Sequence, residues 1–114
     1  MNDDPVRTKG KFQVLFEKGK KGSPDFGSLA GVQAGDFISW IENGTQMAEV
    51  DKVVGTKWSR RFKTKAMTYR QWTVKKSLTV DIKDITEALR LLPGEEPPKR
   101  FEDMFMTVSV QTTR

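Results

Sequence analysis

The apolar positions of this chain fall in short alternating runs, broken at about the 8–12-residue spacing typical of small all-β domains. Residues 11–17 (KFQVLFE) place Phe12, Val14 and Phe16 on one side, and a period of two predicts a strand. Gly35-Asp36 forms a turn feeding a second strand over residues 37–42 (FISWIE). Asn43-Gly44 supplies the positive φ angles of a tight two-residue hairpin turn. The return strand, 46–54 (QMAEVDKVV), sets Met47, Glu49, Asp51 and Val53 against Ala48, Val50 and Lys52, and Gly55 then permits a bend. Residues 57–65 and 69–76 are rich in strand-favouring side chains, with a turn at 66–68. Residues 78–82 (LTVDI) alternate again. Residues 104–112 (MFMTVSVQT) form a last strand with Met106, Val108 and Val110 on one face, suited to closing the sheet against the first.

One segment has a different period. Over residues 84–92, Ile85, Ala88, Leu89 and Leu92 make an apolar stripe at helical spacing. Asp84 and Glu87 suit a capping box, and Pro93-Gly94 provides a stop. Residues 1–10 have no periodicity and are expected to be a flexible leader. Residues 18–28 are a Gly/Pro-containing loop, and 93–100 a stiff polar connector. The expected fold is mainly β (β-rich α+β): a single domain over 11–114, a small SH3-like or strongly bent antiparallel barrel with one short helix near 84–92.

Composition narrows the chemistry. The chain has 114 residues, 36% of them hydrophobic and 31% charged, enough for one small core. It contains 0 Cys and 0 His, which excludes disulfides, thiol or imidazole catalysis and Cys/His zinc sites. No apolar run approaches the roughly 20 residues of a membrane span, and the acidic start (Met1-Asn2-Asp3-Asp4-Pro5) is unlike a secretory signal. The expected setting is the cytoplasm of a cell or of an infected host, with no membrane partner.

The net charge of +5 is unevenly spread. Residues 1–51 carry 6 basic and 8 acidic side chains, and residues 77–114 carry 5 and 7. Residues 52–76 carry 9 basic and no acidic ones, so the excess lies in this expected basic hairpin. Its cations alternate with aromatic residues. Lys and Arg neutralise phosphates with release of counterions, and flat rings stack on unpaired bases. The candidate nucleic-acid contacts are Lys57, Trp58, Arg60, Arg61, Lys63, Lys65, Tyr69, Arg70, Trp72, Lys75 and Lys76. The arginines and lysines would hold phosphates; Trp58, Tyr69 and Trp72 would stack on bases. A solvated hairpin with its rings in the core is the competing reading of the same residues. Lys18, Lys20 and Lys21, in a Gly-containing turn, are auxiliary phosphate candidates beside the reading of a plain solvated loop.

Residues 32–54 resemble the opening of small SH3-like barrels of the Tudor and KOW type: Val32, then Gly35-Asp36, a strand at 37–41, Asn43-Gly44 and a second strand over 48–54. Residues 78–89 look like the last strand of such a barrel running into its short helical turn. The resemblance implies a binding module for nucleic acid or protein tails, not an enzyme. An aromatic cage of the Tudor type would draw on Trp40, Trp58, Tyr69 and Trp72, by residue type alone.

Other constellations are weaker. Pro24-Asp25 with Asp81-Ile82-Lys83 superficially matches metal-dependent nucleases, but the separation is long and the expected reading is a chance match with no metal site and no cofactor. Glu95-Glu96 and Glu102-Asp103 solvate a loop or mask the basic hairpin. Phe101, Met104, Phe105 and Met106 fit a core cluster or, if exposed, a docking surface. The function expected from the residues is therefore non-enzymatic nucleic-acid binding, single-stranded DNA or RNA favoured over duplex because no helix carries the charge. The alternative is a small interaction module docking on an acidic protein.

Overall fold

The computed structural model describes residues 5–19, 29–56, 59–64, 77–98 and 108–112. Within them the chain is mainly β, as the alternation predicts. The strands are β1 (Pro5–Lys9), β2 (Phe12–Glu17), β3 (Phe37–Ile41), β4 (Thr45–Val54), β5 (Arg61–Thr64), β6 (Thr79–Asp81), β7 (Ile85–Leu91) and β8 (Val108–Thr112), with a 3-10 turn over Ile82–Asp84. They form an antiparallel sheet in the order β6-β5-β4-β3-β7-β2-β1-β8. β6 and β7 lie at opposite ends of the run β6-β5-β4-β3-β7, yet only the three-residue 3-10 turn separates them. That run must therefore curl on itself, and its concave side holds the larger core. Phe16, Ile38, Trp40, Ala48, Val50, Phe62, Val80, Ile82, Ile85 and Ala88 meet there, with Leu29 and Val32 packed among them. A smaller core of Phe12, Phe37, Met47 and Leu89 is built from the side chains that alternate with these. In it the Phe12 and Phe37 rings meet edge to face, 5.4 Å apart.

A sheet buried on both faces needs apolar residues of both parities, and three bulges supply the switch; the one between β3 and β7, where Ser39 pairs with Glu87 but Trp40 with Ile85, puts Ile85 in the same core as Ala88. In β2 the register shifts between Val14 and Phe16. Phe12 and Val14 therefore join the smaller core, while Leu15 and Phe16 join the larger one. The three residues expected on one side are thus divided between two. In β4 the register shifts between Val50 and Lys52, leaving Asp51 as the extra, exposed residue. Val53 then packs toward the larger core with Ala48 and Val50. The simple alternation assigned Val53 and Lys52 to the opposite faces.

The helix expected over 84–92 does not form. Its residues are the 3-10 turn's end and the central strand β7, which pairs with β2 on one side and β3 on the other. Ala88 enters the larger core and Leu89 the smaller one. A strand covered on both faces loses its period of two, and its apolar positions then imitate a helical stripe. Asp84 caps nothing here; the residue preceding the turn is Asp81, with no side-chain capping bond. Leu92 to Glu95 close a turn through Glu95 N–H donating to the Leu92 carbonyl at 3.0 Å.

The expected leader is also corrected. Residues 5–9 are β1, joined to β2 through Gly10-Lys11 and paired on its other edge with β8. The last strand thus closes against β1 rather than against β2. Asn43 and Gly44 both hold positive φ, 54° and 103°, as a hairpin requires. The loop has three residues, however, because Ile41 pairs with Thr45. Among the described residues no helix is long and apolar enough to cross a membrane.

Candidate functional site

β5 alternates exposed Arg61, buried Phe62, exposed Lys63, buried Thr64. Phe62 is completely enclosed in the larger core, so its neighbours in sequence must point outward. The bulge at Asp51 turns Lys52 to the same outer face and sets it directly opposite Lys63. Across β5, Lys63 faces Thr79 of β6, and Arg61 faces Asp81. The outer face thus has two rungs: Lys52, Lys63 and Thr79 in one, Val54, Arg61 and Asp81 in the next.

The charges on the rungs differ. Asp81 and Arg61 form an ion pair, Nε to Oδ1 at 3.0 Å, with both side chains well exposed. Among the described residues neither Lys52 nor Lys63 has an ion-pair partner. Like charges directly opposite each other across a sheet cost stability, by about 0.2–1 kcal/mol. The opposed lysines are therefore a local electrostatic cost in the fold.

Arg60 has a different position from its neighbours. Its Nη1 donates to the Ala30 carbonyl at 3.4 Å, and its Nε is buried without a partner. The side chain is turned toward the segment carrying Leu29 and Val32, which are buried in the larger core. The bond to Ala30 lies at the surface, and the Arg60 side chain as a whole is half-buried. Trp40 is removed from any aromatic cage. It is buried in the larger core with Nε1 donating to Glu42 at 3.2 Å. Lys18 lies at the 3-10 turn, donating to the Lys83 carbonyl at 3.1 Å. Lys57, Trp58, Lys65, Tyr69, Arg70, Trp72, Lys75 and Lys76 lie outside the described residues, as do Lys20, Lys21, Asp25, Phe101, Glu102, Asp103, Met104, Phe105 and Met106.

The Gly35-Asp36 motif has a structural role. The buried Asp36 carboxylate accepts two bonds from Arg90 of β7, both at 2.9 Å, and one from the Gln33 N–H at 2.8 Å. Arg90 also donates to the Gly31 carbonyl at 3.0 Å. The hydrogen bond to Asp36, reinforced by its charge and opposed by burial, raises the Arg90 pKa above the ordinary arginine value. Residues 29–36 are thereby fastened to β7 by Arg90, and their Ala30 carbonyl also accepts from Arg60. A second pair of ion bridges joins β1 to the sheet, Lys9 to buried Glu87 at 2.5 Å and Arg7 to Glu17.

Sequence reasoning did not single out Lys52 or Asp81 as site residues. The usable signal was the phase slip between Val50 and Val53, which a bulge explains and strict alternation does not. Among the described residues no group of three or more acidic side chains is placed to hold a metal ion. No protein-family model, curated protein or solved structure matches the chain.

Proposed function

We propose that this protein binds nucleic acid without enzymatic activity, single-stranded DNA or RNA in preference to duplex, through the outer face of β4 and β5. The observation that carries the reading is the opposed Lys52–Lys63 pair, with Arg61 on the same face. A phosphate between two opposed ammonium groups removes their repulsion and releases counterions. Arg61 and Lys63 stand two residues apart on one strand, about 6.6–6.8 Å by strand rise. That is comparable to the separation of successive phosphates along an extended strand. The Lys- and Arg-rich continuation over 65–76, with Tyr69 and Trp72, supplies further cations and stacking rings in this reading.

The test is fluorescence anisotropy with labelled single-stranded DNA, RNA and duplex between about 50 and 200 mM salt. Three phosphate contacts give a slope of log affinity on log salt near −2 on single strands, at about 0.7 per contact. Replacing Lys52, Arg61 and Lys63 together by Ala should remove most of that slope. A triple variant that binds like the parent refutes the face. Binding to an acidic protein at fixed stoichiometry, with none to nucleic acid, moves the same face to the alternative partner.

A further inference from the structure

Asp81 is the acidic residue among the described members of the two outer rungs. It stands opposite Arg61 in register, and its carboxylate occupies the Arg61 Nε at 3.0 Å. The Arg61 and Asp81 side chains are 59% and 41% exposed, so the pair is screened by water and cheap to open. Lys52 and Lys63, on the neighbouring rung, have no such partner among the described residues. Two of the three cations are therefore available at once, and the third is held by an internal carboxylate.

We infer that Asp81 is an intramolecular competitor for the phosphate site, holding Arg61 until a phosphate on the Lys52–Lys63 rung brings a second one within reach. The inference rests on the nucleic-acid reading above. The first phosphate binds where positive charge is unopposed. The second exchanges one Arg–carboxylate pair for an Arg–phosphate pair and sends the Asp81 carboxylate into water. A lone anion gains nothing from that exchange, because the Lys rung already offers a better place. A strand with successive phosphates gains it, so Asp81 weakens binding of isolated phosphates and short fragments relative to a continuous strand. Of the acidic groups proposed from sequence for such masking, Glu102 and Asp103 lie outside the described residues, and Glu95 and Glu96 are exposed in the segment after β7, where the Glu96 carbonyl accepts from Lys11 Nζ at 2.6 Å. Asp81 is the acid in contact with a site cation.

The experiment compares Asp81→Asn with the parent on a labelled single strand, across salt. Asn keeps the shape of the side chain and removes the charge. The expected result is about two- to five-fold tighter binding, the range of an exposed ion pair. The salt slope on that strand should stay near the parent's, because Arg61 contacts a phosphate in both proteins once the strand is bound. Two controls make the result specific. Asp84→Asn removes an exposed negative charge three residues away, and should tighten binding less, with an unchanged slope. In an Arg61→Ala background, Asp81→Asn should have no effect. Equal tightening by Asp84→Asn, or a gain that survives without Arg61, reduces Asp81 to net charge and overturns the inference. An Asp81→Asn protein that binds like a parent with salt-dependent binding overturns the inference and leaves the proposed function standing. Absence of binding by the parent and by every variant overturns both. Thermal melts of each variant, expected to shift little, separate these outcomes from unfolding.

Discussion

Replacing Asp36 by Ala tests how the larger core is closed. The carboxylate is nearly buried and accepts three hydrogen bonds, two from Arg90 and one from the Gln33 N–H. Breaking a buried ion pair by removing one partner costs about 3–5 kcal/mol. Two features of the structure reduce that figure. The Arg90 side chain keeps 38% of its surface exposed, so its guanidinium rehydrates. Gln33 is itself exposed, so its N–H can reach water. The expected loss is therefore about 2–3 kcal/mol, or on the order of 10 °C in Tm for a domain of this size. Asp36→Asn retains an acceptor oxygen and should lose roughly half as much. The assay is urea unfolding followed by circular dichroism for the parent, Asp36→Ala, Arg90→Ala and the double variant. The double variant should be more stable than the sum of the single losses predicts, by at least about 1 kcal/mol. Because the Arg90 pKa is raised, its share of the coupling is complete below the ordinary arginine pKa and is lost only as pH rises through the still higher folded value. The arginine side of the coupling should be the same at neutral pH and at pH 9–10, well below that range. A loss under about 0.5 kcal/mol for Asp36→Ala, or additive single losses, refutes the claim that this pair fastens residues 29–36.

Three other outcomes are expected. Lys63→Gln should raise stability by a few tenths of a kcal/mol by removing the repulsion from Lys52, while weakening single-strand binding; a destabilised variant in chemical denaturation argues against the opposed pair. Phe62→Ala, which empties a fully enclosed site between the two outward cations, should cost about 3–5 kcal/mol in the same assay, and a loss under 1 kcal/mol contradicts its place in the core. Gly55→Ala should destabilise by about 1–3 kcal/mol, since φ is +94° and a Cβ would stand 2.4 Å from the Ser59 carbonyl oxygen; an unchanged midpoint means the turn has another geometry.

Local chemistry was enough for part of this protein. Alternation and turn signals located the strands β2, β3, β4 and β6 to within a few residues, because short apolar runs bounded by Gly- and Asn-containing turns mark strands whichever faces are covered. Asn43-Gly44 located the hairpin, because few residue pairs tolerate two successive positive φ angles. The charge tally located the basic segment, because net charge does not depend on the fold. Tertiary structure decided the rest. β7 is strand rather than helix because β2 and β3 cover it on both sides, and no local propensity records that neighbours will be present. β1 is ordered because residues far along the chain, in β8 and at Glu87, supply its partners. The bulge at Asp51 reverses the parity of Lys52 and so creates the opposed lysine pair; the slip between Val50 and Val53 marks the bulge in the sequence, but the partner set opposite Lys52 comes from the pairing with β5. Arg60 and Arg61 are adjacent and chemically alike. Arg60, just before β5, reaches the Ala30 carbonyl, while Arg61, the first residue of β5, meets Asp81 across the strand pair. The sequence by itself determined which residue types were present and the short-range geometry they favour. Which face each one occupies follows from register, and register is set by contacts between strands that are distant in the chain.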